Sequence, residues 1–233
     1  MPRYKITLLS MAAATVTFAF PYESAAFERE RLDKAINQTS ENTQIQRFIS
    51  INSNDDEVVN GARSFVENIA TRGIGFLSNK ELSEEQRTKE FRKLLQDSFD
   101  MKTIGRFALG RYWKTTTDSE KKEYLKLFEE MIVSVYSRRF SDYHGHKLEV
   151  DGAIATGKSD AIVSSLIVPE SGPKVSVEWR IRYKDGKYKV VDIIVEKVSM
   201  SLTQRSDFAS VIQRGGGQVE VLLAHLRQED EGK

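Results

Sequence analysis

The spacing of apolar residues changes from a helical period to a strand period past the middle of this 233-residue chain. Before Gly145 apolar side chains recur every three or four residues, most clearly from Tyr124 to Tyr136. Beyond it, Val175–Tyr183 alternates apolar with polar side chains, Asp185-Gly186 is a two-residue hairpin turn, and helical spacing returns at Leu202. This order predicts an α+β fold in which helices pack on one face of an antiparallel sheet of about four strands, followed by C-terminal helices.

Short capping motifs predict where the helices begin. Ser83 with Gln86 and Thr117 with Glu120 are capping boxes, and Asp100 is a third candidate cap. The predicted strands, read from the alternating segments, are Leu148–Ile154, Ala161–Val168, Val175–Tyr183 and Tyr188–Val198.

The N-terminal segment is typical of a secretory signal peptide. Arg3 and Lys5 precede the uncharged run Ile6–Phe20, and Ser24-Ala25-Ala26 supplies small residues for cleavage. That run is too short for an ordinary membrane span, since about 20 apolar residues are needed. Residues 1–26 are therefore predicted to direct export, with a retained anchor or a transit peptide as the alternatives.

The rest of the chain divides into a leader, one folded domain and a tail. Residues 27–54 are polar with sparse apolar side chains, which predicts a flexible leader. Residues 55–228 carry the periodic pattern and form the predicted domain, and residues 229–233 form the tail. The first helix is expected to end at Gly73 and Gly75.

Composition excludes several classes of function. The chain has 35 Lys and Arg against 34 Asp and Glu, without the basic excess that is typical of nucleic-acid binding. It has no cysteine, which excludes disulfides, thiol nucleophiles and cysteine-ligated zinc. A soluble protein with an ordinary apolar core is expected.

Two motifs suggest ligand sites but lack the context that such sites need. Gly152–Ser159 matches the phosphate-binding P-loop pattern, yet the next residues predict a short strand, not a helix. We therefore interpret the segment as a turn between strands. His144-Gly145-His146 has metal-like spacing, but the one other histidine, His225, is distant in sequence, so we predict a solvated loop, no metal site and no cofactor.

The predicted hairpin places one carboxylate among apolar side chains. The expected cross-strand pairs are Tyr183 with Tyr188, Ile181 with Val190, Trp179 with Asp192, and Val177 with Ile194. A buried Asp192 needs hydrogen-bond donors, and the Trp179 indole or Arg205 could supply them. The favoured interpretation is a structural residue that ties the sheet to a helix, and the alternative is a general base.

Several segments, in the same order over residues 55–228, resemble the MlaC family, also called toluene-tolerance auxiliary proteins. The segments that carry this resemblance are Ser98–Met101, Ala108–Trp113, Tyr124–Met131, Tyr188–Asp192, Val198–Arg205 with Phe208, and the glycine-rich turn before Leu222-Leu223. The chain departs from the family pattern at Lys197, where the family usually has Gly, and at Gln204, where Tyr is frequent.

The resemblance implies a non-enzymatic lipid carrier of the Gram-negative periplasm with an NTF2-like cone around an apolar cavity. It implies a phospholipid ligand, or alternatively a hopanoid or sterol-like lipid, and two partners: an outer-membrane lipoprotein–porin complex and an inner-membrane Mla ABC transporter. A third possibility is an NTF2-like enzyme that uses Asp192. The candidate lipid-binding residues are Phe107, Trp113, Phe128, Met131, Val135, Val177, Trp179, Ile181, Ile194, Met200 and Phe208, with Arg111, Arg138 and Arg139 at a head-group rim.

Overall fold

A computed structural model describes residues 53–143 and 145–231. The predicted signal peptide, nearly all of the predicted leader, and His144 lie outside the described residues. Two short 3-10 helices, Gly110–Lys114 and Phe140–Asp142, flank the fourth α-helix. The main elements, in chain order, are α1 (Ser53–Ser78), α2 (Glu84–Ser98), α3 (Met101–Leu109), α4 (Asp118–Ser137), β1 (Lys147–Ala155), β2 (Asp160–Val168), β3 (Val175–Lys184), β4 (Lys187–Val195), β5 (Val198–Ser199), α5 (Met200–Arg214) and α6 (Val219–Glu231).

The predicted α+β class is confirmed, with a curled antiparallel sheet in the order β1-β2-β3-β4-β5. All three predicted helix caps are confirmed as well. Ser83 and Thr117 each accept a hydrogen bond from the backbone three residues ahead, in capping boxes with Gln86 and Glu120. Asp100 accepts from the Thr103 N–H at 2.9 Å and caps α3.

The prediction that the first helix ends at Gly73 and Gly75 is wrong, because α1 continues to Ser78. Its last turn carries Phe76, which is buried against the sheet. Packing of that side chain offsets the cost of two glycines in a helix, roughly 1 kcal/mol each relative to alanine.

The predicted fourth strand, Tyr188–Val198, is two strands in the structure. β4 ends at Val195, and Glu196 and Lys197 reverse the chain so that β5 pairs back on β4. Both turn residues have positive φ, 47° for Glu196 and 67° for Lys197. Neither Glu196 nor Lys197 is a residue type that usually adopts this conformation, which Gly and Asn favour.

A β-bulge corrects the predicted register of the β3–β4 hairpin. The Asp185-Gly186 turn forms as expected, and Tyr183–Tyr188 and Ile181–Val190 pair as predicted. Beyond them the register shifts by one residue at Val191, which has no partner, and the predicted pairs are wrong. The observed pairs there are Trp179 with Ile193, Arg180 with Asp192, and Val177 with Val195.

The buried apolar side chains form two clusters. The helical cluster joins α3, α4, α5 and α6 around Tyr124, Phe128, Phe208, Leu222 and Leu223. The sheet cluster joins α1 and α2 to the β-sheet, and its central members are Val66, Phe76, Val163, Trp179 and Ile181. Leu95, Val133 and Ile194 are buried but belong to neither cluster.

The P-loop-like segment forms the β1–β2 hairpin. Residues 156–159 connect the two antiparallel strands, and Gly157 has a φ of 119°. The Thr156 N–H donates to the Asp160 carbonyl at 2.8 Å, which closes the turn. No helix follows the motif, so the segment lacks the helix N-terminus on which a P-loop binds phosphate.

Candidate functional site

Five of the predicted lipid-binding residues belong to or pack on the helical cluster. Phe128, Met131 and Phe208 are buried within it, and Trp113 and Val135 are partly buried against it. The Phe128 and Phe208 rings lie 6.1 Å apart, edge to face. Their close packing makes Phe128 and Phe208 part of the core of this helical layer.

Three other predicted residues, Val177, Trp179 and Ile181, are buried in the sheet cluster. The Trp179 indole N–H donates to Ser165 Oγ at 2.9 Å, and Ser165 Oγ donates to the Val177 carbonyl at 3.1 Å. The indole therefore has a partner within the sheet and does not bind Asp192.

The remaining predicted lipid-binding residues lie apart from the two clusters. Ile194 is buried outside both, and Met200 is half-buried at the start of α5. Phe107 is 41% exposed on α3, and the Arg205 guanidinium lies over its ring at 5.1 Å. The eleven predicted residues are thus distributed over the two clusters, a buried position outside both, and the surface near the start of α5.

The three predicted rim arginines occupy two places. Arg111 donates to the Tyr112 hydroxyl at 2.9 Å on the 3-10 helix after α3. Arg138 and Arg139 follow the last turn of α4, where Arg138 donates to Ser134 Oγ at 2.8 Å. Burial raises the pKa of Tyr136, and the positive charge of the exposed Arg139 partly opposes that rise.

Four aromatic rings from four elements meet between the helices and the sheet. We call this site the aromatic recess: Phe76 of α1, Phe91 of α2, Tyr136 of α4 and Phe140 of the second 3-10 helix. The ring centroid of Phe91 lies 5.3 Å from that of Phe140 and 6.3 Å from that of Tyr136. The ring centroids of Phe76 and Phe140 are 5.8 Å apart. Phe91 and Phe140 pack on the sheet cluster, whereas Val135, the neighbour of Tyr136, packs on the helical cluster.

Tyr136 is the accessible side chain of this site. The side chain is 38% exposed, yet burial raises the pKa of its hydroxyl and outweighs the opposing charge of Arg139. Tyr136 is thus accessible to solvent on one side and contacts the Phe91 ring on the other.

Polar groups border the recess on the helices that hold it. Arg92, next to Phe91, donates to both carboxylate oxygens of Glu130 at 2.7 and 2.8 Å and so joins α2 to α4. One turn further along α4, Ser134 accepts from Arg138. The aromatic rings are thus apolar walls with fixed polar groups at their edge, the arrangement common in ligand sites.

An open groove of about 370 Å³ lies between α1 and α2. Phe76, Leu82 and Leu94 form its apolar lining, and Arg72 and Glu90 are among its polar residues. Phe76 belongs to both the groove and the aromatic recess. None of the eleven predicted lipid-binding residues lines this groove.

Asp192 lies on the opposite face of the sheet from the position predicted for it, because of the bulge at Val191. It remains 7% exposed, and its carboxylate accepts from the Ser199 hydroxyl at 2.7 Å and the Ser201 N–H at 3.1 Å. These donors belong to the N-terminus of α5, so the predicted donors Trp179 and Arg205 are wrong. The carboxylate ties β4 to that helix.

Three of the four residues of the aromatic recess carried weak signals in the sequence. Phe91 and Tyr136 belong to helical apolar stripes, and Phe140 follows the longest stripe by four residues. Nothing local shows that these rings meet, since they are brought together only by the packing of α1, α2 and α4. Phe76 was hidden by the glycines that precede it.

Comparison with known proteins agrees with this architecture. The family model described as "MlaC protein" matches residues 67–228. The chain belongs to the MlaC family. This finding confirms the resemblance that the sequence motifs carry.

Two curated relatives of this MlaC-family chain are similar at low identity. The intermembrane phospholipid transport system binding protein MlaC of Haemophilus influenzae is 21% identical over 133 residues, which cover 55% of this chain and 61% of the relative. The toluene tolerance protein ttg2D of Pseudomonas putida is 22% identical over 110 residues, covering 47% of this chain and 51% of the relative. The alignments thus span less than two thirds of either relative.

A solved structure shares the fold of this MlaC-family chain. It is the phospholipid-binding protein of Ralstonia solanacearum in complex with a phospholipid, with a TM-score of 0.64 and 20% identity. The similarity covers 73% of this chain and 97% of that protein. Among residues 53–143 and 145–231, no helix of this chain combines the length and apolar character that a membrane crossing requires.

Proposed function

We propose that this protein binds the acyl chains of a phospholipid at the aromatic recess and carries the lipid across the periplasm. The observation that carries the proposal is the meeting of four aromatic rings from four elements, in which Tyr136 is 38% exposed and contacts Phe91. Family membership and the names of the relatives support a phospholipid as the ligand. The carrier would exchange lipid with an outer-membrane lipoprotein–porin complex and an inner-membrane Mla ABC transporter.

A carrier is needed because hydrocarbon in water is costly. Exposing two chains of about 16 carbons costs on the order of 20 kcal/mol at roughly 0.8 kcal/mol per methylene. A site that transfers such a lipid has to match the bilayer closely in free energy, since much tighter binding would prevent release. Aromatic and aliphatic walls supply this kind of unspecific apolar contact.

The fold suggests how the recess accepts the chains. The recess lies where α4 contacts both clusters. Val135 packs on the helical cluster, and Tyr136 contacts Phe91, which packs on the sheet cluster. Chains that enter here would lie between two packed cores and leave both intact. The head group would remain near Arg138 and Arg139, which are two of the three arginines predicted for the head-group rim.

Lipid analysis of the purified protein tests the proposal. Native mass spectrometry should show a bound lipid, and extraction should identify it as a phospholipid or, alternatively, a hopanoid. After delipidation, the protein should take up fluorescent phospholipid. A delipidated protein that takes up neither class of lipid would refute the proposal.

A charge in the recess should block uptake. Tyr136→Arg places a guanidinium against the acyl chains, and an uncompensated charge there should lower uptake about tenfold or more. The matched control is Ile154→Arg, which introduces the same side chain at a 62% exposed position on β1. Equal uptake by both variants, with unchanged thermal stability, would place the lipid elsewhere.

A further inference from the structure

An exposed apolar surface lies on the side of α3 and the start of α5. Phe107 of α3 is 41% exposed, Val198 of β5 is 50% exposed and Leu202 of α5 is 57% exposed. Leu202 is one helical turn from Arg205, whose guanidinium lies over the Phe107 ring at 5.1 Å. This contact connects the apolar side chains across the two helices, and we call them, with the exposed cations on the same elements, the α3–α5 patch.

Exposed cations lie on the same elements as these side chains. The exposed basic residues on α3, the following 3-10 helix, the β4–β5 turn and the start of α5 are Lys102, Arg106, Arg111, Lys114, Lys197 and Arg205. No carboxylate of the described residues forms an ion pair with any of the six. On the same segments Glu196 is the only exposed carboxylate among described residues, and it accepts from the Ser176 N–H. A chain with almost equal numbers of acids and bases thus concentrates positive charge at one place.

The local backbone holds this arrangement in place. Gly110 ends α3 with a φ of 59°, and a Cβ at this position would come within 2.9 Å of Arg205 Nε. Glycine therefore lets the arginine lie flat across the end of α3. Its guanidinium is positioned over Phe107 with its edges accessible, so it can still donate hydrogen bonds outward.

We propose that the α3–α5 patch docks on an anionic phospholipid bilayer, with Phe107, Val198 and Leu202 inserted among the head groups. Large exposed apolar side chains surrounded by Lys and Arg are the combination that binds membrane interfaces. Exposed apolar side chains and cations that share the same elements suit a fluid array of phosphates. This inference goes beyond lipid binding at the recess, since it assigns a separate surface that touches the membrane itself.

Vesicle flotation measures the docking directly. The purified protein is mixed with vesicles of phosphatidylcholine alone or with 30% phosphatidylglycerol, at low and high salt. We expect binding to the anionic vesicles that weakens as salt rises, because the electrostatic part is screened. Arg106→Gln should weaken it about fivefold, as expected for one cation near an anionic surface, and Leu202→Ser about tenfold.

Two control variants carry the same chemical changes elsewhere. Lys158→Gln lies in the exposed β1–β2 turn and Ile154→Ser on exposed β1, and both should bind vesicles like the unchanged protein. Thermal melting of all four variants checks that they fold. Absence of binding to anionic vesicles, or equal losses in control and patch variants, would overturn the proposal.

Two further measurements separate this proposal from its alternatives. Uptake of phospholipid from detergent micelles should be unchanged in Arg106→Gln and Leu202→Ser, since it needs the recess and not the patch. Failure of uptake in the unchanged protein would refute the recess alone. If the patch variants bind vesicles normally but lose crosslinks to a membrane protein complex, the patch is a protein interface and the bilayer proposal is wrong.

Discussion

Replacing Asp192 distinguishes a structural carboxylate from a catalytic one. Both of its oxygens accept hydrogen bonds at the N-terminus of α5, from the Ser199 hydroxyl and the Ser201 N–H. Ser199 Oγ itself accepts from the Leu202 N–H at 3.1 Å, so it is also the cap of the helix. The Asp192 carboxylate, the Ser199 hydroxyl and the Ser201 N–H thus connect β4 to the start of α5.

The expected loss of stability follows from these contacts. A hydrogen bond to a charged group contributes about 1.5–3 kcal/mol, and Asp192→Ala removes two of them. Water that enters the vacated space recovers part of this free energy, so we expect Asp192→Ala to lower the free energy of unfolding by about 3 kcal/mol. Asp192→Asn keeps an acceptor for the Ser201 N–H but loses the negative charge at a helix N-terminus, which should cost about 1–2 kcal/mol.

Urea unfolding and thermal melting measure this effect. A loss of about 3 kcal/mol should lower the melting temperature by roughly 6–12 °C in a domain of this size. Phospholipid uptake by the folded fraction should be unchanged in Asp192→Asn. The reasoning fails if both variants keep the stability of the original protein while a catalysed turnover or lipid uptake disappears.

Three other changes test separate features. Lys197→Gly should raise the free energy of unfolding by about 0.5–1 kcal/mol, because the residue has a φ of 67°. Lys187→Gly in strand β4 is the control and should lower the free energy of unfolding by a similar amount. The urea midpoints of the two variants test this difference. Burial raises the pKa of Asp207 above 3.8, so the stability that its protonated form contributes is complete below pH 3.8 and is lost as the pH rises through the folded pKa. Asp207→Asn should therefore raise the urea midpoint at pH 7 but not at pH 3, and equal midpoints at pH 7 would contradict this. Phe128→Ala should cost about 3–5 kcal/mol in calorimetry, since the side chain is 1% exposed, and a loss below 1 kcal/mol would show that Phe128 lines a void.

Features decided by a few neighbouring residues could be predicted from the sequence. The cap at Thr117 and the turn at Asp185-Gly186 depend on bonds within four residues, and both form as expected. The alternation of Val175–Tyr183 identified the buried face of β3, because side chains alternate strictly along a strand. The fold class follows from such local patterns.

Features decided by tertiary contacts could not be predicted. One unpaired residue, Val191, moved Asp192 to the other face, and a bulge of this type leaves no mark in the sequence. The turn at Glu196 and Lys197 lacks the glycine that usually indicates such a turn in a sequence. The aromatic recess depends on Phe76 lying near Phe140, a contact between residues 64 positions apart.

The burial of the predicted lipid-binding residues constrains how a lipid can enter. Phe128 and Ile181 are each 1% exposed, so contact with an acyl chain would require opening a packed core. Separating even one such side chain from its neighbours costs on the order of 2–3 kcal/mol, and a chain of 16 carbons would need several. Tyr136, in contrast, is accessible in the folded protein, so a lipid can contact it without that cost. A carrier that must release its lipid would therefore use an accessible wall such as Tyr136 and leave Phe128 and Ile181 packed.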